Sequence, residues 1–217
     1  MNHPEIITKT ISFVKLSLKG AEGGHDWWHI ERVYNNAMKI AQEEEADPFL
    51  TALAALLHDI ADSKFHGGNE EAGPQKARQF LQTLQVDESI IDHVENIIRH
   101  ISFKGGNFTS NFFSKELAVV QDADRLDAMG AIGIARAFSY GGFKNREMYN
   151  PGIQPDLNMS KEAYKNSTAP TINHFYEKLF LLKDRMNTAT GKKMATERHA
   201  FMETYLEQFY KEWEGEI

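Results

Sequence analysis

Residues 51–68 read TALAALLHDIADSKFHGG, and the fold turns on this stretch. Leu50, Leu53, Ala54, Ala55, Leu56 and Leu57 make an almost unbroken apolar run. The polar pair His58–Asp59 ends it, and Ile60 and Ala61 follow. A helix that is apolar on every side is a buried helix. A carboxylate beside an imidazole at its end needs a partner, because unpaired buried charge is costly. A bound cation is one such partner; an Asp that caps or pairs with its own neighbouring His is the other. The dipeptide alone leaves both open.

Upstream, Asp47 and Pro48 supply the N-cap and first residue of this helix. Before it, Asp26 follows the break at Gly23–Gly24 and caps a helix predicted over 27–45. Trp28, Val33, Ala37, Ile40 and Ala41 form its apolar face, and His29 and Arg32 project from one turn. A first helix is predicted over 4–19, stopped by Gly20.

Downstream, Asp62 stands four residues after His58 and three after Asp59, on the same side of the helix. The loop over 63–68 carries Lys64 and His66. Helices are predicted over 69–84 and 87–101, the second with His93 and His100 two turns apart on one side. After a Phe-rich loop over 102–114, residues 116–129 carry Asp122, Asp124 and Asp127. Helical phase puts Asp124 and Asp127 on one side. Acidic runs are commonly solvated faces, but the small residues that follow (Ala128, Gly130, Ala131, Gly133) argue for close packing. The helix continues over 135–143. Residues 144–169 hold Pro151 and Pro155 and lack apolar periodicity, which reads as a flap, either a lid or a passive connection. Helices are then predicted over 171–186, with His174 and Lys178 at i, i+4, and over 191–214.

The sum is an all-α fold in a single domain over 1–217, with no repeat and no strand-rich region. Composition agrees with a globular chain: of 217 residues 41% are hydrophobic and 25% charged. There is no cysteine, so any metal must sit on nitrogen and oxygen. The net charge of −7 argues against a general nucleic-acid surface. No run reaches the length of a membrane span, and the N-terminus lacks the apolar core of a signal peptide. A cytoplasmic protein with no membrane partner is expected, its oligomeric state open between monomer and homodimer.

An isolated His, a His-Asp pair and a later Asp on separate helices resemble the H…HD…D order of the HD superfamily of metal-dependent phosphohydrolases. Here these are His29, His58–Asp59 and Asp124. The segments GHDWWHIERV, LLHDIADSKFHGG, VVQDADRLDAMGAIGIARAF and HFYEKLFLLKDRMNTATGKKMA are similar to a bacterial stand-alone subfamily with nucleoside-triphosphate pyrophosphohydrolase activity. The resemblance implies an HD core over about 24–130, a helical extension over 131–217, and those four residues as ligands. In the family the last ligand is the second acid of a D-x-D segment, which selects Asp124 over Asp122.

Two imidazoles and two carboxylates make a mixed N/O site for one divalent ion. Mn, Mg, Fe, Co or Ni suits it better than Zn. Such an ion offsets charge on phosphoryl oxygens and lowers the pKa of water. Asp62 is the candidate to orient or deprotonate the water, and HD relatives often carry an acid or a His there. His66 is a candidate proton donor. Arg32, Lys64, His100, Asp127, His174 and Lys178 are candidates for substrate contact. The expected substrate is a small phosphorylated metabolite, in first place a nucleotide. A phosphodiesterase or nucleotidase, or a catalytically silent binding module, is the alternative.

Overall fold

The computed structural model describes residues 1–20, 24–61, 69–101, 112–160, 163 and 166–217. No strand occurs among them. The helices are α1 (His3–Ser17), α2 (Trp27–Glu43), α3 (Pro48–Leu57), α4 (Ala72–Thr83), α5 (Glu88–Ile101), α6 (Lys115–Asp127), α7 (Gly130–Phe143), α8 (Asn173–Glu177) and α9 (Ala189–Glu214), with a 3-10 turn over Leu179–Arg185. The chain divides into two compact units, Met1–Asp124 and Arg125–Ile217. The all-α class is as expected from the helical periodicity.

In the first unit α3 is the centre. Every residue from Phe49 to Leu57 is buried, and α1, α2 and α5 pack around it. Each fully buried leucine side chain stabilises by about 1.5–3 kcal/mol, which fixes α3 before any polar group is placed. The expected cap is present: the Asp47 carboxylate accepts from the Leu50 N–H at 2.8 Å. In α2 the inward face is His29, Ile30, Val33, Ala37, Ile40 and Ala41. Trp28, expected on that face, is instead exposed, because it lies about 100° around the helix from His29. Outside, α4 and α5 are laced by ion pairs. Arg78 engages Glu88, Asp92 and Glu95, and Arg99 engages Glu71 and Glu95.

In the second unit α7 packs on α9. The continuous helix expected over 171–186 is broken. Lys178, with φ −142° and ψ −54°, separates α8 from the 3-10 turn. Leu179 and Leu182 are both buried, and an i, i+3 apolar pair suits the three-residue period of a 3-10 helix. The irregular segment after α7 is tied to its own unit. Thr171 and Ile172 donate backbone bonds to Glu147 and Met148 at 2.9 and 3.1 Å. Asn173 reaches the Ile153 carbonyl at 3.0 Å, and the Tyr149 ring meets Trp213 at 5.0 Å between centroids. These ties make residues 147–153 part of the unit's packing rather than a loose strap.

Gly133, in the first turn of α7, faces the chain just before it: a Cβ there would collide with the Ala128 carbonyl. The backbone cannot yield cheaply at a helix start held by the Gly133 N–H to Met129 bond of 3.2 Å. Gly133→Ala is therefore expected to destabilise the protein by about 1–3 kcal/mol. A lowered midpoint in urea unfolding, with helix content retained before the transition, checks this.

Candidate metal centre

The first donor comes from α2. The Asp26 carboxylate accepts the His29 backbone N–H at 2.9 Å, a cap that sets the first turn and with it the His29 side chain. That imidazole is almost sealed from solvent, at 3% exposure.

The second comes from the end of α3. The last carbonyls of a helix lack intrahelical donors. The His58 Nδ1–H meets one of them, the Ala55 carbonyl, at 2.9 Å. This fixes the tautomer and leaves Nε2 as the lone-pair nitrogen, the arrangement that metal-binding histidines use. Asp59 follows directly. One donor atom each from His29, His58 and Asp59 lies within 4.8 Å of the others, and among the described residues no other group of three His or acidic residues gathers in this way.

The fourth comes from α6. Asp124 Oδ1 lies 3.6 Å from His29 Nε2 and 4.0 Å from His58 Nε2. Asp122, two residues earlier, is fully buried, whereas Asp124 is 43% exposed. The D-x-D pair thus splits into one acid inside the packing and one at the histidine nitrogens.

A histidine absent from the expected set stands beside these donors. His25 Nδ1 lies 2.5 Å from Asp59 Oδ2. It precedes the α2 cap, in a stretch that reads only as a break between helices. The available signal was its place one helical turn before His29. Burial pushes the Asp59 carboxyl up, but the hydrogen bond with His25 and the charges of His58, His25 and His29 outweigh that and hold it below its ordinary value. Asp59 is therefore an anion at neutral pH.

Two nearly sealed imidazoles and two carboxylates, one of them held ionised, fit a divalent cation. Without one, the cluster sets anionic oxygens against desolvated ring nitrogens and offers only a partial match.

The remaining candidates fall elsewhere. Asp62, Lys64 and His66 lie outside the described residues. Arg32 is half-buried on α2, one turn beyond His29. His100, in the last turn of α5, gives its Nδ1–H to the Asn96 carbonyl at 2.8 Å. Asp127, His174 and Lys178 belong to the second unit. The Asp127 carboxylate is buried and takes the Arg136 guanidinium at 2.6 Å, so it serves an internal ion pair. His174 is held neutral: burial first, then the charges of Lys178 and Arg146, lower its pKa to about 4.

The HD domain family matches residues 27–129. The uncharacterized protein YpgQ of Bacillus subtilis is 37% identical over 205 residues, 94% of this chain and 92% of that protein. A solved HD-superfamily hydrolase from Bacillus thuringiensis is 45% identical, with a TM-score of 0.79 over 98% of this chain and 99% of that one. The structure of B. subtilis YpgQ in complex with ADP is 34% identical, with a TM-score of 0.77 over 98% and 97% of the two chains.

Two outcomes follow from this geometry. Asp59→Ala should abolish tight divalent-metal binding while the helix content survives, because Asp59 follows the apolar packing of α3. Metal analysis after gel filtration, beside circular dichroism, checks both halves. The depressed His174 pKa gives a second. The unfolded chain takes up the proton near pH 6.5 and the folded chain only near pH 4. Stability should fall as pH drops through that window. In urea titrations between pH 6.5 and 5, His174→Gln should show a shallower loss than the wild type.

Proposed function

Because the chain belongs to the HD superfamily of metal-dependent phosphohydrolases, we propose that it hydrolyses a nucleoside triphosphate to the monophosphate and pyrophosphate. The observation that carries this reading is the convergence of His29 from α2, His58 and Asp59 from the turn that ends α3, and Asp124 from α6. The nucleotide is supported by the YpgQ relative, whose structure is described in complex with ADP.

His29 and His58 through Nε2, and Asp59 and Asp124 through carboxylate oxygens, would hold one divalent ion. Mn, Mg, Fe, Co or Ni is favoured over Zn by the thiolate-free donor set. When bound, that ion supplies Lewis-acid stabilisation of phosphoryl charge and acidifies water. The protein's own groups do the rest. Asp62 orients or deprotonates the attacking water, and His66 protonates the departing oxygen. Arg32 and Lys64 offer positive charge to phosphates. His100 offers a hydrogen bond.

Hydrolysis of another phosphate ester, as by a phosphodiesterase or nucleotidase, is the second reading, since the same donors serve any phosphoryl centre. The setting proposed is the cytoplasm. Among the described residues no helix is long and apolar enough to cross a membrane.

The deciding experiment is a panel of nucleoside tri-, di- and monophosphates with added Mn²⁺, with pyrophosphate resolved from orthophosphate. Pyrophosphate release from triphosphates supports the proposal; orthophosphate as the only product moves the protein to the second reading. With the active substrate, Asp62→Asn should lower turnover by about two to four powers of ten, the usual range for a general base, with metal content near that of the wild type. An equal loss of metal would make Asp62 a ligand instead.

A further inference from the structure

His25 lies outside the expected ligand set, yet its ring nitrogen meets an Asp59 carboxylate oxygen at 2.5 Å. The two are 34 residues apart, so local chain geometry does not bring them together. The His25 ring stands edge-on to His29, 6.2 Å between centroids. Both partners are partly shielded, at 27% and 17% exposure, where a charge-assisted hydrogen bond resists competition from water.

We propose that His25 is a positioning residue for the metal centre: its Nδ1–H holds Asp59 Oδ2, leaving Oδ1 as the oxygen that His25 does not engage. This rests on reading His29, His58, Asp59 and Asp124 as metal ligands. A carboxylate is free to rotate about its bond to Cβ and to offer a metal one oxygen or both. Clamping one oxygen removes that freedom and selects a single donor orientation. Partners of this kind commonly account for 10–100-fold in metal affinity. The same bond joins the stretch before α2 to the second residue past α3, next to the His58 C-cap, so it also ties together the elements that position His29 and His58.

The placement of the donor atom makes the idea specific. In asparagine, the side-chain amide nitrogen occupies nearly the position of histidine Nδ1. In glutamine, it lies nearer the position of Nε2. The test is Mn²⁺ binding to the metal-free full chain, followed by paramagnetic resonance of the free ion, for His25→Ala, His25→Asn, His25→Gln and Asp59→Ala. Thermal unfolding of each metal-free protein is recorded in parallel. His25→Ala is expected to weaken Mn²⁺ binding by about 10–100-fold, with His25→Asn restoring most of the loss and His25→Gln little of it. Wild-type affinity in His25→Ala would overturn the proposal. So would recovery in Gln but not Asn, which would make His25 act through Nε2. If the alanine variant fails to fold, the Asn and Gln pair carries the same decision. Asp59→Ala separates this inference from the metal reading beneath it. Full Mn²⁺ affinity there removes the metal site itself, whereas lost affinity there with unchanged affinity in His25→Ala removes only the role of His25.

Discussion

The burial of α3 is the constraint on which the first unit depends. A ten-residue helix with no solvent face must end somewhere polar, and its last carbonyls need donors. The chain meets this by placing His58 at the C-cap and turning its Nδ1–H back onto Ala55. One hydrogen bond thus closes a helix end and prepares a nitrogen for coordination. The apolar packing decides where the polar dipeptide sits, and it shields the two imidazoles almost completely.

The other donors are aimed by equally local devices. The cap at Asp26 fixes the first turn of α2, so His29 rides on the same inward stripe as Val33 and Ala37. In α6 the alternation of Asp122 and Asp124 points one acid into the packing and the other toward the imidazoles. Electrostatics then favours the ionised state of Asp59 despite its burial, since three histidines surround it. No single element makes the centre. It forms where a cap, a helix end and a helical phase coincide.

Much of this was legible in the residues. The apolar run of α3, the caps at Asp26 and Asp47 and the order of His29, His58–Asp59 and Asp124 are local patterns, and local patterns survive folding. The features that escaped are long-range. His25 sits in a stretch without periodicity, and its partner is 34 residues away, so its spacing of four from His29 is the one local hint and its role stays hidden. Trp28 reads as core by composition but turns outward, because helical phase is set by the neighbours that pack best. The break at Lys178 depends on how Leu179 and Leu182 are both buried, and a 3.6-residue reading misses that. Asp127 carries the same acidic signature as Asp124, and only the fold supplies Arg136 as its partner.

The uneven shielding of the donors bears on how the centre would exchange an ion. Both imidazoles are closed to solvent, at 3% and 4%, while the Asp124 carboxylate is open at 43%. Ligand substitution at a labile divalent ion proceeds from the side where an incoming group can approach. Here that side is the carboxylate, the hardest and least discriminating donor of the set. Enclosure therefore does little to lock one element in place. An ion held here would follow the supply around it and the Irving–Williams order of the imidazoles, and loading history would become part of the identity of a purified sample.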